Sequence, residues 1–288
     1  MSVPAPPPTS PPQAVSTLRD LALSCHPIPT VAVTAMATAL VVAAHNSQRV
    51  CVIAAVAVLA GQLSIGWSND LVDAERDAKV GRADKPIATG QLSRHIVTVA
   101  LGSALLVTVT ASLLLGWRAA AAQLTVVVSG LAYNAGVKST VWSAVPYALA
   151  FGALPAVATL ARPQPVWPTW WAMAAGAMVG VAAHFANVLP DLTEDRHTGV
   201  RGLPHRFGAP ASAVAATTLA SGAVWLAFAG AATPATTLQW MLLVGAGVSL
   251  LLALLVLRRN PRSEVIFLAT MLVAALAISI LVTGDVTQ

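Results

Sequence analysis

The sequence predicts an all-α integral membrane protein, a bundle of about nine transmembrane helices. Hydrophobic residues make up 57% of the 288 positions and charged residues only 9%, against about 25% charged in an ordinary soluble domain. Apolar windows of about twenty residues, enough to cross a bilayer core as a helix, recur along the whole chain. They cover residues 28–45, 50–68, 95–116, 119–137, 141–160, 167–189, 210–231, 236–257 and 264–283.

The basic residues are divided unevenly between the two sides that nine spans define. With the N-terminus in the cytoplasm, thirteen of the sixteen Lys and Arg residues fall on the cytoplasmic side. This distribution obeys the positive-inside rule. We therefore expect a multi-pass protein of a prokaryotic cell membrane, with its N-terminus and the loops after the second and sixth windows in the cytoplasm. The basic residues form no single soluble face, so binding to nucleic acid is not expected.

The chain is expected to form one membrane domain behind a short tail. The first thirteen residues include six prolines and no charge, a composition typical of disorder. We place a disordered tail at residues 1–20. Because the connections between the later windows are short, residues 21–288 are taken as a single transmembrane domain.

Acidic residues are concentrated in two segments, 69–77 and 187–195, which each come at the end of an apolar window. These segments contain seven of the eleven Asp and Glu residues. Carboxylates so close to a membrane core are costly unless a cation compensates them. The two segments are therefore the best sequence guide to function.

Residues three and four positions apart share one face of a helix, and both segments follow that spacing. The residues are Asn69, Asp70, Asp73 and Asp77 in the first segment and Asn187, Asp191 and Asp195 in the second. Carboxylates stacked on one face repel one another unless divalent cations lie between them. Oxygen ligands without His or Cys favour Mg²⁺, which commonly bridges substrate phosphates. The alternative is a solvated acidic loop.

Basic residues follow both acidic segments and, together with Mg²⁺, would bind a polyanion such as a diphosphate. They are Arg76, Lys79, Arg82 and Lys85 after the first segment, and Arg196, Arg201, His205 and Arg206 after the second. A diphosphate held this way is a good leaving group, because its developing charge is neutralised. Lys138, the only charge between the fourth and fifth windows, is a further candidate phosphate contact. Any one of these residues could instead be a positive-inside anchor.

Taken in order, these motifs resemble a known family. The first segment reads NDxxDxxxD and continues through the loop 81–90, and the second contains DxxxD followed by a Gly- and Arg-containing loop. Tyr133-Asn134 and Lys138 lie between them. With the nine-helix count, the chain resembles the UbiA superfamily of intramembrane prenyltransferases over nearly its whole length.

The resemblance implies a bundle around a central, lipid-accessible cavity that binds an isoprenyl diphosphate through two Mg²⁺ ions. The diphosphate leaves, and the allylic carbocation is transferred to a small hydrophobic or aromatic acceptor. By position, Asn69, Asp70, Asp73 and Asp77 would serve one metal ion, Asp191 and Asp195 the other, and Arg82, Lys85, Lys138 and Arg201 the diphosphate. Asp70, Asp73, Asp191, Asp195 and Lys138 would be the catalytic set.

The chain departs from the family at the start of the first span, where many aromatic prenyltransferases have Arg-Pro. Here the sequence is Cys25-His26-Pro27, which puts recognition of a benzoate-type carboxylate in doubt. Four residues are candidates for contacts with an acceptor or a carbocation: His26, Tyr133, His184 and Asn187. Either histidine could instead be an ordinary structural residue.

Three hypotheses follow. The first is a prenyltransferase that joins a prenyl chain to a small acceptor such as a quinone precursor. The second is a UbiA-type terpene cyclase, in which the carbocation is quenched internally. The third is a cation-binding membrane transporter, which is disfavoured because almost no acidic residue lies near the middle of a window.

Overall fold

A computed structural model describes residues 13–192, 195, 199–231 and 235–259, together with 269, 272, 273, 275–277, 279 and 280. Within these residues the chain forms helices and no strand. The helices are α1 (Gln13–Ser24), α2 (Pro27–Ala43), α3 (Gln48–Lys79), α4 (Arg94–Leu114), α5 (Trp117–Asn134), α6 (Val145–Leu160), α7 (Trp170–Val188), α8 (Leu203–Gly230) and α9 (Thr237–Arg259), with a short 3₁₀ helix at Val137–Ser139.

Each of the first eight apolar windows contains one helix, α2 to α9 in order. By length and composition, α3, α4, α7 and α8 can each cross a membrane, and the bent pair α1–α2 makes a fifth candidate. The ninth window lies mostly outside the described residues, so the number of spans stays a prediction. The chain is an all-helical, multi-pass membrane protein, as the apolar windows predicted.

Helix α1 begins at Gln13, so residues 13–20 are helical where we expected the disordered tail to continue. No proline occurs between Pro12 and Pro27, so the residues between them can form a helix. The indole Nε1 of Trp67 on α3 donates a hydrogen bond to the Leu21 carbonyl at 3.0 Å, and Leu21 packs in the same apolar cluster as Trp67. Residues 1–12 lie outside the described residues.

His26 is the corner between α1 and α2. Its backbone is left-handed, with φ 54° and ψ 70°, an uncommon conformation for a residue with a side chain. The two helices bend by 67° at this point. Gly66 on α3 allows the corner to approach closely, because a Cβ at Gly66 would collide with the backbone of Cys25. The corner thereby brings His26 to the end of α3 that carries the first acidic segment.

The two acidic segments differ in backbone structure. Helix α3 runs without a break to Lys79, so the first segment is helical throughout, as its spacing predicted. Helix α7 ends at Val188, because Pro190 cannot donate the next intrahelical hydrogen bond. The expectation that Asn187, Asp191 and Asp195 share one face of the sixth span is therefore wrong. A hydrogen bond from the Asp195 N–H to the Asp191 carbonyl, 2.9 Å long, still keeps these two residues one turn apart.

Small residues allow α6 and α7 to pack closely. A Cβ at Gly176 or Gly180 of α7 would collide with the carbonyl oxygen of Phe151 or Tyr147 on α6. Close approach through small residues is typical of helix pairs in membranes. This contact places the C-terminal half of α7, including His184, against the aromatic side chains of α6.

Candidate active site

Asp73, on the buried face of α3, forms a buried ion pair with Lys138. The Nζ of Lys138 donates to its Oδ1 at 2.5 Å and to its Oδ2 at 2.6 Å. Arg76 adds a contact to Oδ2 at 3.0 Å, and the Asn69 amide donates to the same oxygen at 3.1 Å. The Asp73 and Lys138 side chains are only 8% and 10% exposed, so their charges compensate each other with little help from solvent.

Asp70 is enclosed by a second lysine and by His26. Lys85 Nζ donates to Asp70 Oδ1 at 2.7 Å, and His26 Nε2 lies 3.1 Å from the same oxygen and 3.1 Å from Asn69 Oδ1. Lys85 Nζ also lies 3.1 Å from His26 Nε2. His26 therefore contacts the acidic segment directly, which its position just before the first predicted span had not revealed.

Asn134, part of the Tyr-Asn motif but absent from the predicted site set, holds Asn69 in place. Its amide donates to the Ser68 hydroxyl at 2.6 Å and to the Ile65 carbonyl at 2.8 Å. Its Oδ1 accepts from Asn69 Nδ2 at 3.2 Å. Its place directly after Tyr133 was the only sequence signal for this role.

Arg82 and Asp84, on the loop after α3, form a bidentate pair with two hydrogen bonds of 2.9 Å. The pKa of Asp84 is lowered to about 2, chiefly by the hydrogen bond from Arg82. The pKa of Arg82 is raised, first by that hydrogen bond and further by the charges of Asp84, Asp191 and Asp77. Residues of both acidic segments thus act on the same guanidinium group.

The second acidic segment is more open than the first. Asp191 and Arg201 are exposed, as is Asn187 near the end of α7. Asp195 is half-buried, and its Oδ2 lies 3.1 Å from Nε2 of the buried His205. Glu194 and Arg196, which also belong to this region, lie outside the described residues.

An aromatic cluster surrounds the predicted contact residues His184 and Tyr133. The His184 ring lies 4.9 Å from the Tyr147 ring and 5.6 Å from the Tyr133 ring, centre to centre. Phe185 extends the cluster on one side, and Phe151 stacks on Tyr147 on the other. His184 is buried, whereas Asn187, three residues further along α7, is exposed. The structure therefore places these two candidates in different environments.

The chemistry of the first segment suits a hard divalent cation. Its amide and carboxylate oxygens are the ligands that Mg²⁺ prefers, and the buried Oδ2 of Asp70 has no hydrogen-bond partner among the described residues. Within the same residues, no three His, Cys, Asp or Glu side chains are grouped closely enough to hold a metal ion. Asp70 and Asp73 are each paired with a lysine instead. The donor set fits Mg²⁺, with the lysines as its competitors.

These features define a class of protein: a helical membrane protein with two acidic segments, each accompanied by basic residues. The sequence profile of the UbiA prenyltransferase family matches residues 28–276. The chain therefore belongs to the UbiA prenyltransferase family. No curated protein matches the chain in a sequence search.

Solved structures of similar fold agree with this assignment. A UbiA homolog from Aeropyrum pernix K1 superposes with a TM-score of 0.71 at 16% identity, covering 88% of this chain and 97% of that one. A UbiA homolog from Archaeoglobus fulgidus, bound to GPP and Mg²⁺, has a TM-score of 0.68 at 14% identity, with 94% and 98% covered. A digeranylgeranylglyceryl phosphate synthase gives 0.67 at 15%, with 94% and 99% covered.

Proposed function

We propose that this protein is a Mg²⁺-dependent intramembrane prenyltransferase that releases diphosphate from an isoprenyl diphosphate and transfers the prenyl group to a small hydrophobic or aromatic acceptor. The observation that carries the proposal is the pairing of Lys85 with Asp70 and of Lys138 with Asp73. These two pairs bring carboxylates that can bind a metal ion and amines that can bind a phosphate together in a largely buried site.

The lysines and carboxylates would divide the work. Mg²⁺, when bound, would neutralise charge on the departing diphosphate. Asn69, Asp70, Asp73 and Asp77 are the proposed ligands of one ion, and Asp191 and Asp195 those of a second. Lys85 and Lys138 would then turn from their carboxylates to the diphosphate oxygens, joined by Arg82 and Arg201. Because both lysines are at least four-fifths buried, their charges act there with little screening.

The aromatic cluster would receive the cationic part of the reaction. The ring centres of Tyr133 and Tyr147 lie 5.2 Å apart, and Phe151 stacks on Tyr147. Aromatic faces of this kind stabilise cations. The surrounding helices would exclude water from the allylic carbocation. The prenyl tail would lie in a central cavity open to lipid, within a bundle of nine spans whose site faces the cytoplasm. The support for this orientation is the excess of Lys and Arg on one side of the predicted spans.

The test is a product analysis with the purified full-length chain in Mg²⁺. Geranyl, farnesyl and geranylgeranyl diphosphate are each supplied with and without a panel of phenolic and naphthoquinol acceptors. The proposal predicts a prenylated acceptor and diphosphate release that depends on the acceptor. Diphosphate release without formation of any prenylated product would reject the transferase assignment.

One observation supports the terpene cyclase as the second candidate. His26, which stands where many aromatic prenyltransferases have an arginine, has its Nε2 close to Asn69, Asp70 and Lys85. It is thus engaged with the polar site rather than replacing a carboxylate-binding guanidinium. The cyclase predicts a cyclised hydrocarbon or alcohol in the reactions without acceptor.

A further inference from the structure

Ser143, on the loop between the 3₁₀ helix and α6, is fully buried between three segments of the site. Its hydroxyl oxygen accepts the N–H of Leu203, the first residue of α8, at 2.8 Å. The same oxygen lies 2.9 Å from Nε2 of His184 on α7. Ser143 also follows closely after Lys138, the lysine that pairs with Asp73. No family motif or charge pattern marks this serine in the sequence.

The hydrogen bond from Leu203 to Ser143 indicates which of Ser143 and His184 donates to the other. Because Ser143 Oγ accepts from the Leu203 N–H, its own hydrogen is available for His184 Nε2, which then accepts. The ring is neutral in this arrangement, with its hydrogen on Nδ1. The opposite tautomer would leave both the serine hydrogen and the Nδ1 lone pair without a partner among the described residues, so it is disfavoured. Nδ1 itself is buried without a partner there.

Ser143 connects its own loop with α7 and with the start of α8. Residues near these contacts bind to both acidic segments. On one side, Lys138 reaches Asp73. On the other, α8 begins Leu203-Pro204-His205, and His205 contacts Asp195. The contact is tight, because a Cβ at Gly202 would collide with the Lys138 carbonyl and would crowd Ser143 Oγ.

We propose that Ser143 and His184 are a positioning pair that holds Lys138 in register with the second acidic segment. In this role neither residue contacts the substrate, which differs from the contact expected for His184 from the sequence. Their hydrogen bond fixes the loop that carries Lys138 against α7 and the start of α8, so that Lys138 and the second segment are presented to the same diphosphate. This inference rests on the proposed function, because it assumes that Lys138 binds the diphosphate.

A double-mutant cycle tests the coupling. Binding of geranyl S-thiolodiphosphate, an unreactive analogue, is measured with Mg²⁺ for the full chain carrying Ser143→Ala, Lys138→Met or both changes. We expect Ser143→Ala to weaken binding about fivefold to tenfold, the effect of one lost buried hydrogen bond. The double variant should bind no more weakly than Lys138→Met alone. Ser64→Ala is the matched control, since Ser64 is a buried serine whose hydroxyl, among the described residues, bonds only to the Ala60 carbonyl of its own helix.

Two variants of His184 separate positioning from acid–base chemistry. His184→Gln can keep an acceptor near the Nε2 position and should retain analogue binding and turnover within about twofold, whereas His184→Leu should lose as much as Ser143→Ala. The pH profile of turnover should be the same for His184→Gln and wild type. Tyr133 and Tyr147, the titratable residues whose rings face His184, are present in both proteins. Loss of one limb of that profile in His184→Gln would overturn the positioning role.

The outcomes distinguish the two proposals. If the wild-type chain neither binds the analogue nor releases diphosphate, the proposed function fails. If the wild type does both, but Ser143→Ala binds like wild type or its effect adds fully to that of Lys138→Met, then the positioning pair is wrong while the proposed function stands.

Discussion

Replacing Lys138 with methionine is the most informative single perturbation of the site. The change keeps the aliphatic stem and removes the ammonium group that donates both hydrogen bonds to Asp73. Removing one partner of a buried ion pair costs about 3–5 kcal/mol when the remaining charge is uncompensated. Asp73 keeps Arg76 at 3.0 Å and the Asn69 amide at 3.1 Å. We therefore expect the free energy of unfolding to fall by about 2–3 kcal/mol.

Lys138→Met should also lower the rate of diphosphate release, by more than its loss of stability would explain. If Lys138 stabilises charge that develops on the diphosphate, its loss should lower kcat/KM for diphosphate release by about 10²- to 10³-fold. The assay measures diphosphate release and thermal unfolding of the purified protein in detergent. Lys79→Met, the same charge change at an exposed lysine at the end of α3, should be close to wild type in both.

Mg²⁺ provides a second readout of the same variant. Without the lysine as a competitor, the carboxylate of Asp73 is open to the cation, so Mg²⁺ should raise the unfolding temperature of Lys138→Met more than that of wild type. A Lys138→Met protein that unfolds and releases diphosphate like wild type would refute the reasoning for this ion pair.

Three further predictions concern other parts of the site. Asp191→Ala should abolish diphosphate release without lowering the unfolding temperature, since Asp191 is exposed; retained turnover would remove Asp191 from the metal site. Gly66→Ala should impair both stability and turnover because its Cβ meets the backbone of the α1–α2 corner, whereas Gly102→Ala, with open space around its Cβ, should affect neither. The lowered pKa of Asp84 means that its pairing with Arg82 is present above the unfolded-state pKa of about 3.9 and is lost only as pH falls toward about 2. The stability difference between wild type and Asp84→Asn should accordingly be constant between about pH 5 and pH 9. It should also be small, because Asp84 is exposed and Arg82 is partly exposed; a slope across that range would contradict this assignment.

The sequence was sufficient for the parts of the fold that depend on local composition. Apolar length located the helices α2 to α9, and the absence of proline between residues 48 and 79 allowed α3 to carry the first acidic segment as one helix. The same rule, applied with more weight on Pro190, would have ended α7 near the start of the second segment, before Asp191. Helix α1 was missed because it is short and depends on docking to Trp67.

The contacts within the site depend on tertiary packing, which spacing along the chain does not encode. Lys138 was singled out as an isolated charge, but its partner Asp73 is sixty-five residues away. His26 reaches Asp70 only because the corner between α1 and α2 packs on Gly66. Nothing in the sequence distinguishes Ser143, because its role depends on contacts with α7 and α8 that form only in the folded protein.

The most direct test of the proposed chemistry is Mg²⁺-dependent release of diphosphate from an isoprenyl diphosphate by the purified full-length chain. We predict release in Mg²⁺ from at least one of geranyl, farnesyl and geranylgeranyl diphosphate. We also predict that EDTA stops the release and that Asp70→Ala abolishes it. Release that persists in EDTA and in Asp70→Ala, or no release from any of the three in Mg²⁺ with acceptors present, would contradict the proposal.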